Sequence, residues 1–268
     1  MPTNKPGPRK PSRSGNPAVR TAAAHQQQDR PRQSARTRPA PGRGSGPRQS
    51  RQRLVLGVLL AAVVLIVIVA VAVISHQRSA ADPQPPAAQP SFAPVTLTNG
   101  QPIRLGHDDA GVTLTLFEDF NCPHCADFEK NLGPTITDLQ RSGRVEVELY
   151  PMSFVTKRSP ALANAMACAA TEGFGQPYWV GLFANSGLSW SDDQLIRLGT
   201  LVGKPSRDFA GCIRSDAHRA WVDSITSAAS AKNVTETPTV FINGVRQPAD
   251  KVSSWTAADL KSAIGAAT

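Results

Sequence analysis

An unbroken run of 21 apolar or glycine residues, Leu54 to Ile74, constrains this chain more than any other feature. As a helix rising about 1.5 Å per residue it covers the roughly 30 Å hydrocarbon core of a bilayer, so it reads as one transmembrane helix. The alternative is a cleaved signal peptide, with Ser79-Ala80-Ala81 as a passable cleavage site. Against it, both the apolar run and the basic segment ahead are longer than such signals carry. That segment, residues 1–53, holds 13 Lys and Arg against the single acid Asp29, with nine prolines and no aromatic residue. It buries too little apolar surface to offset the entropy of ordering it and is expected to be disordered. The tail contributes +12 to a chain whose net charge is +9, so the remainder is acidic at −3. The positive-inside rule places the tail in the cytoplasm and everything after Ile74 outside, in a single-pass arrangement at the cell membrane. The tail reads either as a solvated topology signal or as an attachment to anionic lipid or nucleic acid. No aromatic residue alternates with its arginines, so no nucleic-acid partner is expected.

Residues 75–95 form a Pro/Ala-rich stalk with Pro83, Pro85, Pro86, Pro90 and Pro94, expected to be semi-extended and to hold the following domain off the bilayer. Residues 96–268 are enough for one good core. All four cysteines, Cys122, Cys125, Cys168 and Cys212, lie in this part, which suits an oxidising compartment.

Cys122-Pro123-His124-Cys125 carries the chemistry. The spacing alone also serves zinc half-sites and inert bridges, but no second such pair and no nearby His pair completes four zinc ligands. Ahead of it, Val112 to Phe117 is β-branched and apolar, a strand buried on both faces. Behind it, Phe128, Leu132, Ile136 and Leu139 recur at helical spacing. Pro123 fits the first helical position, which puts Cys122 at the N-cap, where N–H groups, the helix dipole and a protonated His124 favour thiolate. Cys125, one turn in, is the expected resolving thiol.

Farther along, Val145 to Tyr150 alternates apolar and acidic residues, a strand with one packed face. Helical periodicity follows over Ala161 to Thr171, Tyr178 to Phe183, Asp192 to Val202 and Ser206 to Ala231. Ser191 caps the third of these, and Gly203 with Pro205 stops it. Thr239 to Ile242 is a strand, Asn243-Gly244 a hairpin turn, and Ala257 to Ala266 a last helix capped by Thr256. The order gives an α/β sandwich around a small mixed sheet.

With Phe117-Glu118-Asp119-Phe120-Asn121 leading into the cysteines, the helical block about residues 153–231 and the run Val234 to Gly244, residues 96–268 resemble the DsbA-like branch of the thioredoxin fold, membrane-anchored as in actinobacterial members. The resemblance implies a mixed central sheet flanked by helices with an inserted helical subdomain, here preceded by one transmembrane helix. It also implies a cis Pro238 against the cysteines, with Thr237 offering its backbone to an extended substrate. With Cys122 and Cys125 assigned to each other, Cys168 and Cys212 remain, and their pairing resembles a second disulfide of relatives. Relatives often carry a buried acid six residues before the first cysteine, where this chain has Leu116. Asp119 matches a family acid at its own position; Glu118 and Asp119 are expected to be solvated or capping carboxylates. Trp179 is expected in the core, with a peptide groove as its other reading.

The function expected is extracytoplasmic thiol:disulfide exchange that introduces disulfides into exported cysteine-containing proteins. It needs no cofactor beyond the Cys122–Cys125 pair and no metal, and its reoxidant, by the resemblance, is a quinone-linked membrane protein. An isomerase or reductase using the same pair is the alternative, and a copper-binding module of the same fold a third.

Overall fold

The computed structural model describes residues 47–268, so the expected disorder of the tail falls outside the described residues up to position 46. Helix α1 (Pro47–Ala80) contains the apolar run and exceeds it at both ends. Pro47 begins it, a position where the missing N–H has no intrahelical partner to lose. Residues 47–53, expected within the tail, are thus helical: nothing after Pro47 breaks the helix before the apolar run. Gln52–Arg78 is long and apolar enough to cross a membrane.

The folded domain is a five-stranded mixed sheet with helices packed on it. Its elements are β1 (Ile103–Leu105), β2 (Val112–Glu118), α2 (Pro123–Arg141), β3 (Val145–Pro151), α3 (Ser159–Thr171), α4 (Gly175–Ala184), α5 (Asp192–Val202), α6 (Phe209–Arg214), α7 (Arg219–Ala231), β4 (Thr239–Ile242), β5 (Val245–Arg246), α8 (Ala249–Val252) and α9 (Ala257–Gly265). The strand order is β1-β3-β2-β4-β5. Strands β2 and β3 are parallel, joined through α2, and the other pairings are antiparallel. Parallel pairing requires a crossover, and α2 supplies it.

Strand β2 lies at the centre, and Leu114, Leu116 and Phe117 are wholly buried, each contributing about 2 kcal/mol of burial. Strand β3 differs from its expected one-sided pattern. Glu146 is buried because the short β1, which carries no length of periodic pattern to announce it, pairs along that edge. From β1, Arg104 reaches back to Glu146 and Glu148. The stretch from Ser206 to Ala231 also breaks into two helices. After α6 the chain turns at Asp216, in the left-handed region at φ 49°, with Ala217 N–H on the Cys212 carbonyl and Asp216 N–H on that of Ile213. These are the paired bonds of a Schellman end, here with Asp in the place glycine usually takes.

Two caps fall where the sequence places them. Ser191 accepts from Gln194 N–H and Thr256 from Asp259 N–H, each in a reciprocal capping box. Asn243 and Gly244 both take positive φ, as a two-residue hairpin turn requires.

Residues 81–102 form no helix or strand. The segment is extended, as its prolines dictate, yet it is tied to the domain along its length. Asp82 pairs with Arg197 at 3.1 Å, and Pro83 is buried. Gln84 N–H donates to Asn185 Oδ1, whose Nδ2 donates back to Gln84 O, both at 2.8 Å. Thr137 Oγ1 donates to Gln89 Oε1 and Val95 N–H to Ala170 O. Of the residues expected to be a stalk, 75–80 complete α1 and 81–95 form a strap laid over α2, α4 and α5.

Candidate active site

Cys122 is the N-cap of α2, with extended backbone at φ −82° and ψ 118° and Pro123 in the first turn. Cys125 is one turn in. Both are free thiols, so the pair stands in its dithiol form, Cys122 6 % exposed and Cys125 fully buried. The Thr237–Pro238 bond is cis, and the Cys122 thiol donates to the Thr237 carbonyl at 3.3 Å. Thr237 and Pro238, about 115 residues away in sequence, are thus brought against the exposed end of the pair.

Helix-start geometry separates the two thiols electrically. The Cys125 thiol donating to it, the Thr237 hydroxyl and the backbone N–H groups of Cys125 and His124 lower the Cys122 pKa to about 5, against the opposing effect of burial. His124 contributes through its backbone N–H. Its side chain is exposed and lines a groove of about 340 Å³ with Phe128, Leu132, Pro238, Val252 and Trp255. Cys125 is pushed far the other way, first by burial, then by its bond to Cys122 and by the charge of Glu118. A nucleophile with a lowered pKa that just reaches the surface, beside a wholly buried thiol held protonated, is what asymmetric disulfide exchange uses.

Glu118 overturns its expected role as a solvated or capping carboxylate. It ends the central strand and is completely buried, with Oε2 accepting from Trp179 Nε1 at 3.1 Å. Glu129 on α2, also buried, faces it. Burial first, and then the neighbouring Glu129, raise Glu118 well above the carboxylate range. Burial likewise lifts Glu129 to about 8. Two carboxyls buried against each other do not both ionise, so the pair keeps a proton at neutral pH. Glu129 is also in the wall of a cavity of about 750 Å³ between α2, α4 and Pro86–Gln89 of the strap, on which neither cysteine opens.

Asp119 does cap, but from the interior. Its Oδ1 accepts from Asn121 N–H and the Ser159 hydroxyl at 2.9 and 2.7 Å, and its Oδ2 from Phe154 and Val155 N–H at 3.1 and 3.0 Å. One buried carboxylate thus holds the residue before Cys122 and the loop after β3. Far from this site, Cys168 on α3 and Cys212 on α6 form a disulfide across 44 residues, with Cα atoms 6.2 Å apart. His218 approaches its sulfurs, which are already bonded to each other.

Glu129, Asn121, Ser159 and Trp255 carried no site role in the sequence, Trp255 reading as a core or cap residue. Glu129 had a signal, since it stands one helical turn after Cys125 on the same face of α2. Asn121 had one in its place directly before Cys122, while Ser159 and Trp255 are placed by tertiary contact.

A helix-start cysteine pair facing a cis proline across a mixed sheet agrees with the match of residues 98–264 to the family model described as Thioredoxin. The chain belongs to the thioredoxin family. Among curated proteins none matches it. Solved structures share the fold of this thioredoxin-family domain at low identity. The reduced form of the disulfide bond oxidoreductase DsbG from Mycobacterium tuberculosis is 24 % identical with a TM-score of 0.53, covering 63 % of this chain and 88 % of that one. Oxidised BdbD from Bacillus subtilis is 23 % identical with a TM-score of 0.55, covering 70 % and 98 %. The thiol-disulfide oxidoreductase MdbA from Corynebacterium diphtheriae is 20 % identical with a TM-score of 0.56, covering 69 % and 96 %. In this thioredoxin-family chain the helices α3 to α7 occupy the interval between β3 and β4, where the insertion was expected.

Proposed function

We propose that this thioredoxin-family domain is a membrane-anchored, extracytoplasmic thiol:disulfide oxidoreductase that oxidises exported cysteine-containing proteins. The observation that carries the reading is geometric: Cys122 caps α2 and bonds the Thr237 carbonyl before cis Pro238, with Cys125 wholly buried one turn in. A stabilised Cys122 thiolate favours the reduced pair and so makes the disulfide a strong oxidant. DsbG and MdbA, which share the fold, are disulfide oxidoreductases, which supports the same chemistry here. Helix α1 serves as the anchor, and the basic residues before it put the domain on the outer side.

In the proposed cycle a substrate thiolate attacks Cys122 Sγ. The Cys122–Cys125 bond breaks, a substrate–Cys122 bond forms, and Cys125 leaves with the electron pair. It takes a proton, and the Glu118–Glu129 pair is the adjacent store. The second substrate thiolate then attacks the substrate sulfur of the mixed disulfide, closing the substrate bond and releasing Cys122 as thiolate. Two electrons pass to the enzyme; of the two substrate protons, one ends on Cys125 and one in water. Regeneration needs an electron acceptor, for which the family resemblance suggests a quinone-linked membrane protein.

The reduction potential of the Cys122–Cys125 pair, measured against glutathione, is the test. A value near the roughly −120 mV of strong oxidants supports oxidation; one near the roughly −270 mV of thioredoxin makes the enzyme a reductase. Failure to exchange with any dithiol would remove the reading.

A further inference from the structure

The second cysteine pair has a neighbour that a plain cross-link does not use. The sulfurs of Cys168 and Cys212 and a ring nitrogen of His218 all lie within 4.8 Å of one another. Asn164, wholly buried on α3 one turn before Cys168, sets that arrangement. Its Nδ2 donates to the Cys212 carbonyl at 3.2 Å, and its Oδ1 accepts the His218 N–H at 2.8 Å. One side chain thus clamps both ends of the turn from α6 to α7, with left-handed Asp216 reversing the chain between them. None of these bonds runs through the disulfide, so the three groups stay gathered when it opens. Cys168 is buried while Cys212 and His218 are half-buried, which leaves one side of the cluster open to solvent. Two thiolates and an imidazole held this close are three of the four ligands of a tetrahedral, thiolate-binding cation, and the open side leaves the fourth position to water.

We propose that Cys168, Cys212 and His218, once the disulfide is reduced, bind one zinc-class divalent cation that takes over from the disulfide in joining α3 to α6. This goes beyond exchange at Cys122 and does not rest on it. The electrons come from a dithiol of low molecular weight. One of its thiolates attacks Cys212, the accessible sulfur; the Cys168–Cys212 bond breaks, and Cys168 leaves with the electron pair. The second thiolate closes the reductant's own disulfide and releases Cys212. Two electrons thus enter the protein, and the dithiol's two protons end on Cys168 and Cys212. The cation then displaces both protons to water and takes the lone pair of the neutral His218 ring. In reducing surroundings it holds the helical block that the disulfide holds in oxidising ones. Asn164 touches no metal and is a positioning residue.

The test uses the full-length chain in detergent, without a polyhistidine tag and with Cys122→Ser/Cys125→Ser to remove the other thiols. It is reduced with a phosphine and titrated anaerobically with cobalt(II). One cobalt per chain should bind, with the near-ultraviolet thiolate charge-transfer band and strong visible bands of a tetrahedral ion, and zinc should displace it. The unreduced chain should show neither band. His218→Ala keeps its disulfide before reduction, which reports its fold, and after reduction should hold cobalt at least about tenfold more weakly. Asn164→Ala should weaken binding in the same direction. Zinc in excess should raise the melting temperature of the reduced chain by several degrees and leave the oxidised chain unmoved. No uptake by the reduced chain, equal affinity in His218→Ala, bands without thiolate character, or the same bands in the unreduced chain each overturn the site. All of these leave exchange at Cys122 standing, because that reaction is measured on the unaltered chain.

Discussion

At the scale of single residues, the active site works by giving two identical thiols opposite environments. Alkylation of Cys122 by iodoacetamide in the reduced protein should follow a titration centred near pH 5, and a midpoint above 8 would contradict the hydrogen bonds drawn to it. Cys125 should stay unlabelled across the same range. Glu118→Gln should slow the step in which Cys125 leaves and takes its proton by about 100-fold, the usual scale for a positioned proton carrier, in single-turnover formation of the mixed disulfide by the oxidised enzyme. Cys122 alkylation should hold its rate in that variant. The cysteine pair and its proline partner were legible because their chemistry is written in a four-residue spacing and one Thr-Pro dipeptide. The acids were not. A glutamate at the end of an apolar strand reads as a solvated end until α2 brings Glu129 over it and Trp179 donates to it.

At the scale of elements, two opposing titrations meet on α2. Glu129 has a raised pKa in the folded state, so its contribution to stability is complete below its unfolded value and is lost as pH rises towards about 8. Cys122 has a lowered one, so its contribution is absent below about pH 5 and grows as pH rises towards the free-thiol value. Glu129→Gln removes the first and leaves the second. Denaturant unfolding of the reduced variant should therefore gain stability between pH 5 and 8 relative to the unaltered chain; a parallel pH profile would contradict the burial of Glu129. The disulfide between α3 and α6 bears on another element pair. Removing it with Cys168→Ala and Cys212→Ala should cost about 2–4 kcal/mol, read as a lower denaturant midpoint with exchange activity retained. Elements with caps or strict periodicity, such as α5 and α9, were readable to within a residue. Strand β1 and helix α8 were not, because three or four residues hold no period and exist only through their neighbours.

At the scale of the whole molecule, the strap ties the chain that follows α1 to the catalytic domain. Composition made residues 81–95 extended, since prolines at this density exclude helix and sheet. What composition left open was whether an extended segment stands free, because that depends on partners such as Asn185 and Arg197 more than 100 residues on. The family match begins at Thr98, after the last of these ties. A soluble protein trimmed to that boundary would strip Pro83 from its buried seat, leave Asn185 and Arg197 facing water and unroof the cavity beside Glu129. One trimmed at Asp82 keeps all three. The longer form should melt several degrees higher, by calorimetry. For anyone preparing crystals or assays, the useful edge of the enzyme thus lies 16 residues ahead of where kinship draws it, in sequence that alignment discards as linker.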